Sequence, residues 1–310
     1  MSLNSHEHAE LISVDWGTTN LRAFALTKNG TQIGQRVSDQ GLLSNPHDYA
    51  QCLEALIDGW LDPQRPVNIV LSGMVGSPSG WRDVPHLPSP ASLQQLTART
   101  FQVAQIENSA VWIVPGVKGN GASGLPDIMR GEEVQFFGAR SLRAEKQLQV
   151  PEVWSFPGTH NKWIQEGELI EHFSTAMVGE LFELTQQHSL LAQSLESGAN
   201  SNMAAFTRGL LASARPGGLL HHLFSVRTLQ LTGQQEKQDG LDYLSGLIIG
   251  HDISAQLTDS QVCVGIVAAL PLAWRYQRAL EVLGQKSIVI DSRAATIAGA
   301  LAINALLPTI

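Results

Sequence analysis

The chain is 310 residues long, enough for about two domains with cores that need no disulfide or metal. With 43% apolar and 15% charged residues it is not a disordered chain, and its two cysteines, Cys52 and Cys263, exclude a disulfide framework and a Cys-based zinc site. A net charge of −8 speaks against a nucleic-acid surface but leaves an anionic small ligand open, because backbone N–H groups bind phosphate without basic residues.

Leu11 to Val14 is an apolar run ending in Asp15, and Trp16-Gly17-Thr18-Thr19-Asn20 reads as a tight turn. Leu21 to Leu26 resumes as a strand, Asn29-Gly30 is a strong hairpin signal, and Thr31 to Val37 is the return strand of an antiparallel meander. Asn45 can cap a helix with Pro46 at its first position, and Tyr49, Cys52, Leu53, Leu56, Ile57, Trp60 and Leu61 follow on one face. Val67 to Leu71 is a buried-type strand that opens into Ser72 to Ser77, then a loop through Ser89, with Ser89-Pro90 as the next helix start. Val111 to Val114 is a strand, Gly116 to Gly124 a glycine-rich loop, and a helix begins around Met129. The polar Arg143 to Gln149 region marks a boundary between domains at residues 1–145 and 146–310. The second half opens with strand Val153 to Phe156 and a turn at Pro157 to Asn161. Helical patterning follows from Gly179 to about Leu257, then strands at Val262 to Val267 and Ser287 to Ile290, each leading into a helix. The longest apolar stretch, Val262 to Trp274, is interrupted by Pro271 and is core length, so no membrane partner is expected. The polar opening residues do not resemble a signal peptide, which makes the cytoplasm the expected compartment.

One local pattern occurs twice. Gly17-Thr18-Thr19-Asn20 and, 141 residues later, Gly158-Thr159-His160-Asn161 each sit between two strands. Glycine lets backbone approach a ligand closely, threonine adds a hydroxyl donor, and successive N–H groups at such a tip form an anion nest. One copy would be an ordinary hairpin turn. Two copies in matching places point to a polyphosphate gripped from both sides.

Val14 to Arg22 resembles the first phosphate motif of the sugar kinase/Hsp70/actin superfamily. Further stretches resemble, in order, the 2-dehydro-3-deoxygalactonokinase family: Ser72 to Ser77 with Gly80-Trp81, Ile113 to Gly116, Met129 to Glu133, Pro157 to Trp163, and Arg275-Tyr276-Gln277. The resemblance implies an α/β fold of two ribonuclease-H-like domains with ATP in the cleft between them. It implies Mg²⁺ as cofactor and phosphorylation of the terminal (6-) hydroxyl of 2-dehydro-3-deoxy-D-galactonate in galactonate catabolism. A kinase for another sugar acid or sugar, and a non-catalytic sugar sensor of the same superfamily, are the alternatives. A sensor of that kind carries a DNA-binding helix before the first phosphate turn, and only ten residues precede Leu11. The oligomeric state is not legible.

Phosphoryl transfer needs a metal, donors for the transferred group, and a base or orienter for the attacking hydroxyl. Asp15, ending a buried strand before the first tip, can hold Mg²⁺ directly or through water; the alternative is a turn-forming Asp. Gly17, Thr18, Thr19, Asn20, Gly158, Thr159, His160, Asn161 and Lys162 are the expected ATP contacts, with Lys162 meeting developing charge. The catalytic carboxylate is sought among Glu133, Glu132 and Asp127, in that order, with Asp15 as a further candidate; adjacent helical residues point about 100° apart, so one of the two glutamates faces the ligand. Acidic residues also favour a first helical turn for the dipole alone. Arg130 offers a fork for the carboxylate of the implied substrate. Gly73, Met74, Val75, Gly76 and Ser77 follow a buried strand where α/β sheets bind ligands, and Trp81 either faces the substrate or covers the core. The stretch Val267 to Pro271 departs from the family's small loop near the adenosine: Ala268-Ala269 adds methyl groups there.

Overall fold

The computed structural model describes residues 8–44, 48–196, 201–257 and 261–308. The chain begins with an antiparallel meander, β1 (Leu11–Trp16), β2 (Leu21–Leu26) and β3 (Gln32–Ser38). Helix α1 (Tyr49–Ile57) follows, shorter than the apolar pattern suggests because Trp60 and Leu61 lie past its end. Its expected cap, Asn45, and Pro46 lie outside the described residues; Asp48 caps it by accepting the Gln51 N–H at 3.0 Å. Then come β4 (Asn68–Gly73), a two-residue strand β5 (Leu87–Pro88), α2 (Leu93–Ala98), and the hairpin β6 (Phe101–Ile106) and β7 (Ser109–Ile113). Helix α2 starts after Ser92, which forms a reciprocal capping box with Gln95, rather than at Ser89-Pro90.

The region expected as a glycine-rich loop contains β8 (Val117–Asn120), which pairs with β9 (Pro126–Met129). Its glycine has a packing reason: a Cβ on Gly119 would lie 2.6 Å from the Ser89 hydroxyl oxygen and 3.1 Å from the Phe173 ring. Helix α3 (Glu132–Glu145) follows directly on β9 and its turn. The remaining elements are β10 (Val153–Phe156), β11 (Asn161–Gln165), β12 (Phe173–Ala176), α4 (Val178–His188), α5 (Met203–Ser213), α6 (Gly218–Leu231), α7 (Gly240–Gln256), β13 (Cys263–Ala268), α8 (Leu270–Val282), β14 (Lys286–Asp291) and α9 (Ser292–Asn304).

The first large sheet has the order β3-β2-β1-β4-β7-β6, with β1, β4 and β7 parallel. The second has the order β12-β11-β10-β13-β14, with β10 and β13 parallel. Both place three consecutive strands before a crossover to a strand parallel with the first, which is the ribonuclease-H-like arrangement. By internal contacts the chain divides into residues 1–148 with 164–174 and 290–310, and residues 149–163 with 175–289.

In the first unit Ile12, Val14, Trp16, Leu53, Ile69 and Val111 form a core between the sheet and α1. Helix α9 belongs to this unit and crosses α3 at backbone distance: a Cβ on Gly138 would lie 1.9 Å from the Ala295 carbonyl oxygen, and one on Gly299 2.0 Å from that of Val134. In the second unit Phe206, Leu210, Ile249, Val264, Ile266 and Tyr276 pack the sheet onto α5, α7 and α8. Among the described residues no helix is long and apolar enough to cross a membrane.

Candidate active site

In the first unit, pairing sets which strand ends meet. Asp15 lies opposite Arg22 on β2 and Ser72 on β4, and Trp16 lies opposite Gly73. The Asp15 side chain is partly exposed. Burial of its carboxyl pushes it above the ordinary value; the Arg22 guanidinium, 3.7 Å away, opposes this and the Glu132 charge adds to it. The tip Gly17–Asn20 is closed by the Gly17 N–H donating to the Asn20 carbonyl at 2.9 Å, and Thr18, Thr19 and Asn20 are exposed. Sequence reasoning missed what holds this tip. Leu42 and Leu43 donate their N–H groups to the Gly17 and Thr18 carbonyls at 3.0 and 2.8 Å. Gly41 lies so close behind that a Cβ would be 2.3 Å from the Thr19 carbonyl carbon.

Gly73 ends β4 with φ at +90°, and a Cβ there would lie 2.7 Å from the Trp16 carbonyl oxygen and 3.5 Å from Asp15 Oδ1. Gly131, at φ +111°, lies against the other side of Gly73, its own Cβ position 3.5 Å from the Gly73 Cα. Bare backbone at both glycines thus brings the start of α3 to Asp15. Here the two glutamates separate. Glu133, expected to face the ligand, is 0% exposed; both its carboxylate oxygens accept the Gly131 N–H, at 2.9 and 2.7 Å. Burial, with the Glu132 charge beside it, pushes its carboxyl up to about 8. Glu132 is the partly exposed one, its Oε2 accepting the Arg130 N–H at 3.2 Å. Asp127 stands up the strand in β9, paired in register with Gly119, its Oδ1 accepting the Ile128 N–H at 2.7 Å.

The turn after β4 is less open than its sequence suggests. Val75 is fully buried in the core, and Gly76 and Ser77 are buried with it, so the Val75 side chain packs inward rather than lining an open loop. Gly73 is the turn's approach to the Asp15 end. Trp81 lies nearly parallel to Tyr49, centroids 6.1 Å apart at 11°, and partly covers the core. Arg130 Nη2 donates to the Val84 carbonyl at 2.9 Å and lies 3.4 Å from the His86 ring, a neighbour that no sequence motif indicated. Arg130 Nη1 is buried under Gly76 and, like Ser77 Oγ, has no hydrogen-bond partner among the described residues. Burial lowers the Arg130 proton affinity, opposed by the Glu133 and Asp83 charges.

In the second unit Gly158 and Thr159 are exposed at the tip before β11. Gly179, at the start of α4, repeats the role of Gly41: a Cβ would lie 2.4 Å from the Gly158 carbonyl oxygen, and Glu180 donates its N–H to the Thr159 carbonyl at 2.9 Å. His160 Nε2 is 2.5 Å from Glu180 Oε2. The matching asparagines diverge. Asn20 is exposed, whereas Asn161 is fully buried and bonded internally, unlike its counterpart in the repeat; Lys162, expected as a cation beside the tip, is also buried. Beside the tip is a cavity of about 500 Å³, lined by Gly158, Phe182, Ile248, Leu272, Arg275 and Tyr276 among others. Arg275 Nη2 meets Asp242 Oδ1 at 2.6 Å at its wall. Ala268 sits in the core and Ala269 at the N-cap of α8, so α8 reaches the cavity through its later residues.

Two sheets of the same strand order, each with a glycine-threonine tip at the same place, define a two-domain ribonuclease-H-like protein of the actin and sugar-kinase kind. The chain belongs to the 2-keto-3-deoxy-galactonokinase family, whose model matches residues 15–303. It is 35% identical over 280 residues to the 2-dehydro-3-deoxygalactonokinase of Escherichia coli (strain K12), covering 89% of this chain and 91% of that one. It is 30% identical over 297 residues to a Rhizobium meliloti (strain 1021) protein given that name provisionally, covering 93% and 94%. A crystal structure from Sinorhizobium meliloti, named in the same provisional way, matches with a TM-score of 0.84 at 29% identity over 97% of this chain and 98% of that one.

Proposed function

We propose that this protein transfers the terminal phosphoryl group of ATP to the 6-hydroxyl of 2-dehydro-3-deoxy-D-galactonate. The observation that carries the reading is the close approach of Gly73 to Asp15 and of Gly131 to Gly73, which sets the start of α3 beside the Asp15 carboxyl, within reach of the Glu132 charge. The cavity of the second unit, with an apolar wall and the Gly158 tip at its edge, suits a nucleoside with its phosphates on the tip N–H groups. A carboxyl that burial and the neighbouring Glu132 charge push above its ordinary value fits a hard divalent cation, and Asp15 would hold Mg²⁺. When bound, the ion offsets the negative charge of the polyphosphate.

The chain's own groups supply the rest. Glu132, the accessible carboxylate of the pair, orients the acceptor hydroxyl and takes its proton as the new P–O bond forms. Glu133 holds Gly131 and so fixes the direction of the first turn of α3. Arg130, half-buried before the start of α3, is the cation that would meet the acid group of the substrate. The test is ADP release with a panel of sugar acids, 2-dehydro-3-deoxy-galactonate and -gluconate side by side. A clear preference for the galactonate supports the reading. Preference for another acid moves the acceptor, and no release with any acid overturns the kinase assignment.

A further inference from the structure

Asp252, on α7, is a buried acid that the proposed chemistry does not use; it is 7% exposed. Three donors converge on it: Asn161 Nδ2 at 2.7 Å and the Tyr276 hydroxyl at 2.9 Å on Oδ2, and Trp163 Nε1 at 3.0 Å on Oδ1. Ser155 Oγ completes the set by donating to Asn161 Oδ1 at 3.1 Å. Asn161, Trp163, Tyr276 and Ser155 are each 2% exposed or less. Burial pushes the Asp252 carboxyl up, and its three donors pull against that.

The hub joins two places of one unit. Asn161 follows directly on the Gly158–His160 tip, and Tyr276 lines the cavity beside it. We propose that Asp252 is a positioning residue of the nucleotide site, holding Asn161 and Tyr276 together so that the second phosphate tip keeps its place relative to the cavity wall. The inference rests on reading this cavity and tip as the ATP site. A carboxylate suits the task because it accepts from all three donors at once. Replacing it removes the acceptor of Trp163 Nε1 in a dry interior and leaves Asn161 Nδ2 with the Tyr276 hydroxyl, 3.2 Å away, so the tip strand loses its tether to α7.

Asp252→Asn is a weak probe, since the Asn161 amide can turn over and pair with it. Asp252→Ala removes the acceptor. Tyr276→Phe keeps the ring and the fold while removing one donor, so it serves if the first variant does not fold. Binding of ADP and of adenosine to each protein is measured by calorimetry, alongside KM for ATP and for the sugar acid. A lost hydrogen bond to a charged group corresponds to about tenfold or more in affinity. Asp252→Ala is expected to weaken ADP by at least that, and Tyr276→Phe to weaken it less, with adenosine affinity held within about twofold. KM for ATP should rise while KM for the sugar acid stays. Equal losses for ADP and adenosine, or no loss of either, overturn the inference while the wild type still binds both. If the wild type itself binds neither, the nucleotide reading of the cavity falls, and this inference with it.

Discussion

Glu133 accepts the N–H of Gly131 through both oxygens of a fully buried carboxyl group, at 2.9 and 2.7 Å. The acid therefore serves the backbone two residues before it, and the turn it closes is the one that sets Gly131 against Gly73, beside Asp15.

The first prediction concerns pH. Glu133 holds its proton to about 8 when folded, against 4.5 ordinarily. The folded state therefore binds more protons between those values, and its contribution to stability falls as pH rises through that window and levels off above it. Glutamine keeps an acceptor for Gly131 without the charge. Denaturant midpoints at pH 5.5 and 8 should fall more for the wild type than for Glu133→Gln. Since Asp15 and Asp252 are raised too and titrate in both proteins, the difference between the two slopes isolates Glu133.

The second separates the two glutamates by activity. General-base removal costs about 10²–10⁴ in rate. Glu132→Gln is expected to lower kcat by about a hundredfold or more on that scale, with little change in either KM, because the interaction is made in the transition state. Steady-state kinetics of both glutamine variants decide it. A larger kcat loss in Glu133→Gln would return the base to the buried position.

Asp15→Ala should abolish turnover, and added Mg²⁺ should not restore it. Burial already disfavours the Asp15 charge, so its loss should leave thermal stability equal or slightly higher. Calorimetry and a turnover assay over a magnesium series check both halves. Near-normal activity at saturating Mg²⁺ would remove Asp15 from the metal role.

The glycines behind the tips give the fourth. A methyl group on Gly179 meets the Gly158 carbonyl, and one on Gly41 meets the backbone of Thr19. Overpacking against backbone costs about 1–3 kcal/mol. Gly179→Ala and Gly41→Ala should each lower the melting temperature modestly and weaken ATP about tenfold or more, matching that cost. An unchanged KM for ATP in both would show that the tips are not held from behind.

Much of this protein was legible in its sequence because the signals were local. Strands β1 and β2 follow from apolar runs, the hairpin after them from Asn29-Gly30, and the two tips from glycine and threonine between strands. Turn chemistry and residue period act within a few positions, so they survive without the rest of the chain. Tertiary packing decided the remainder. Which glutamate is buried depends on the phase of α3, and that phase is set by its crossing with α9 at Gly138 and Gly299. Asn20 and Asn161 occupy the same place in the repeat, yet Asp252, 91 residues on from Asn161, draws the second into the interior. Val75 reads as part of an open loop and is core because the sheet and α1 close over it. Each of these depends on groups distant in sequence that meet only when the sheets form, and no local pattern records such a meeting.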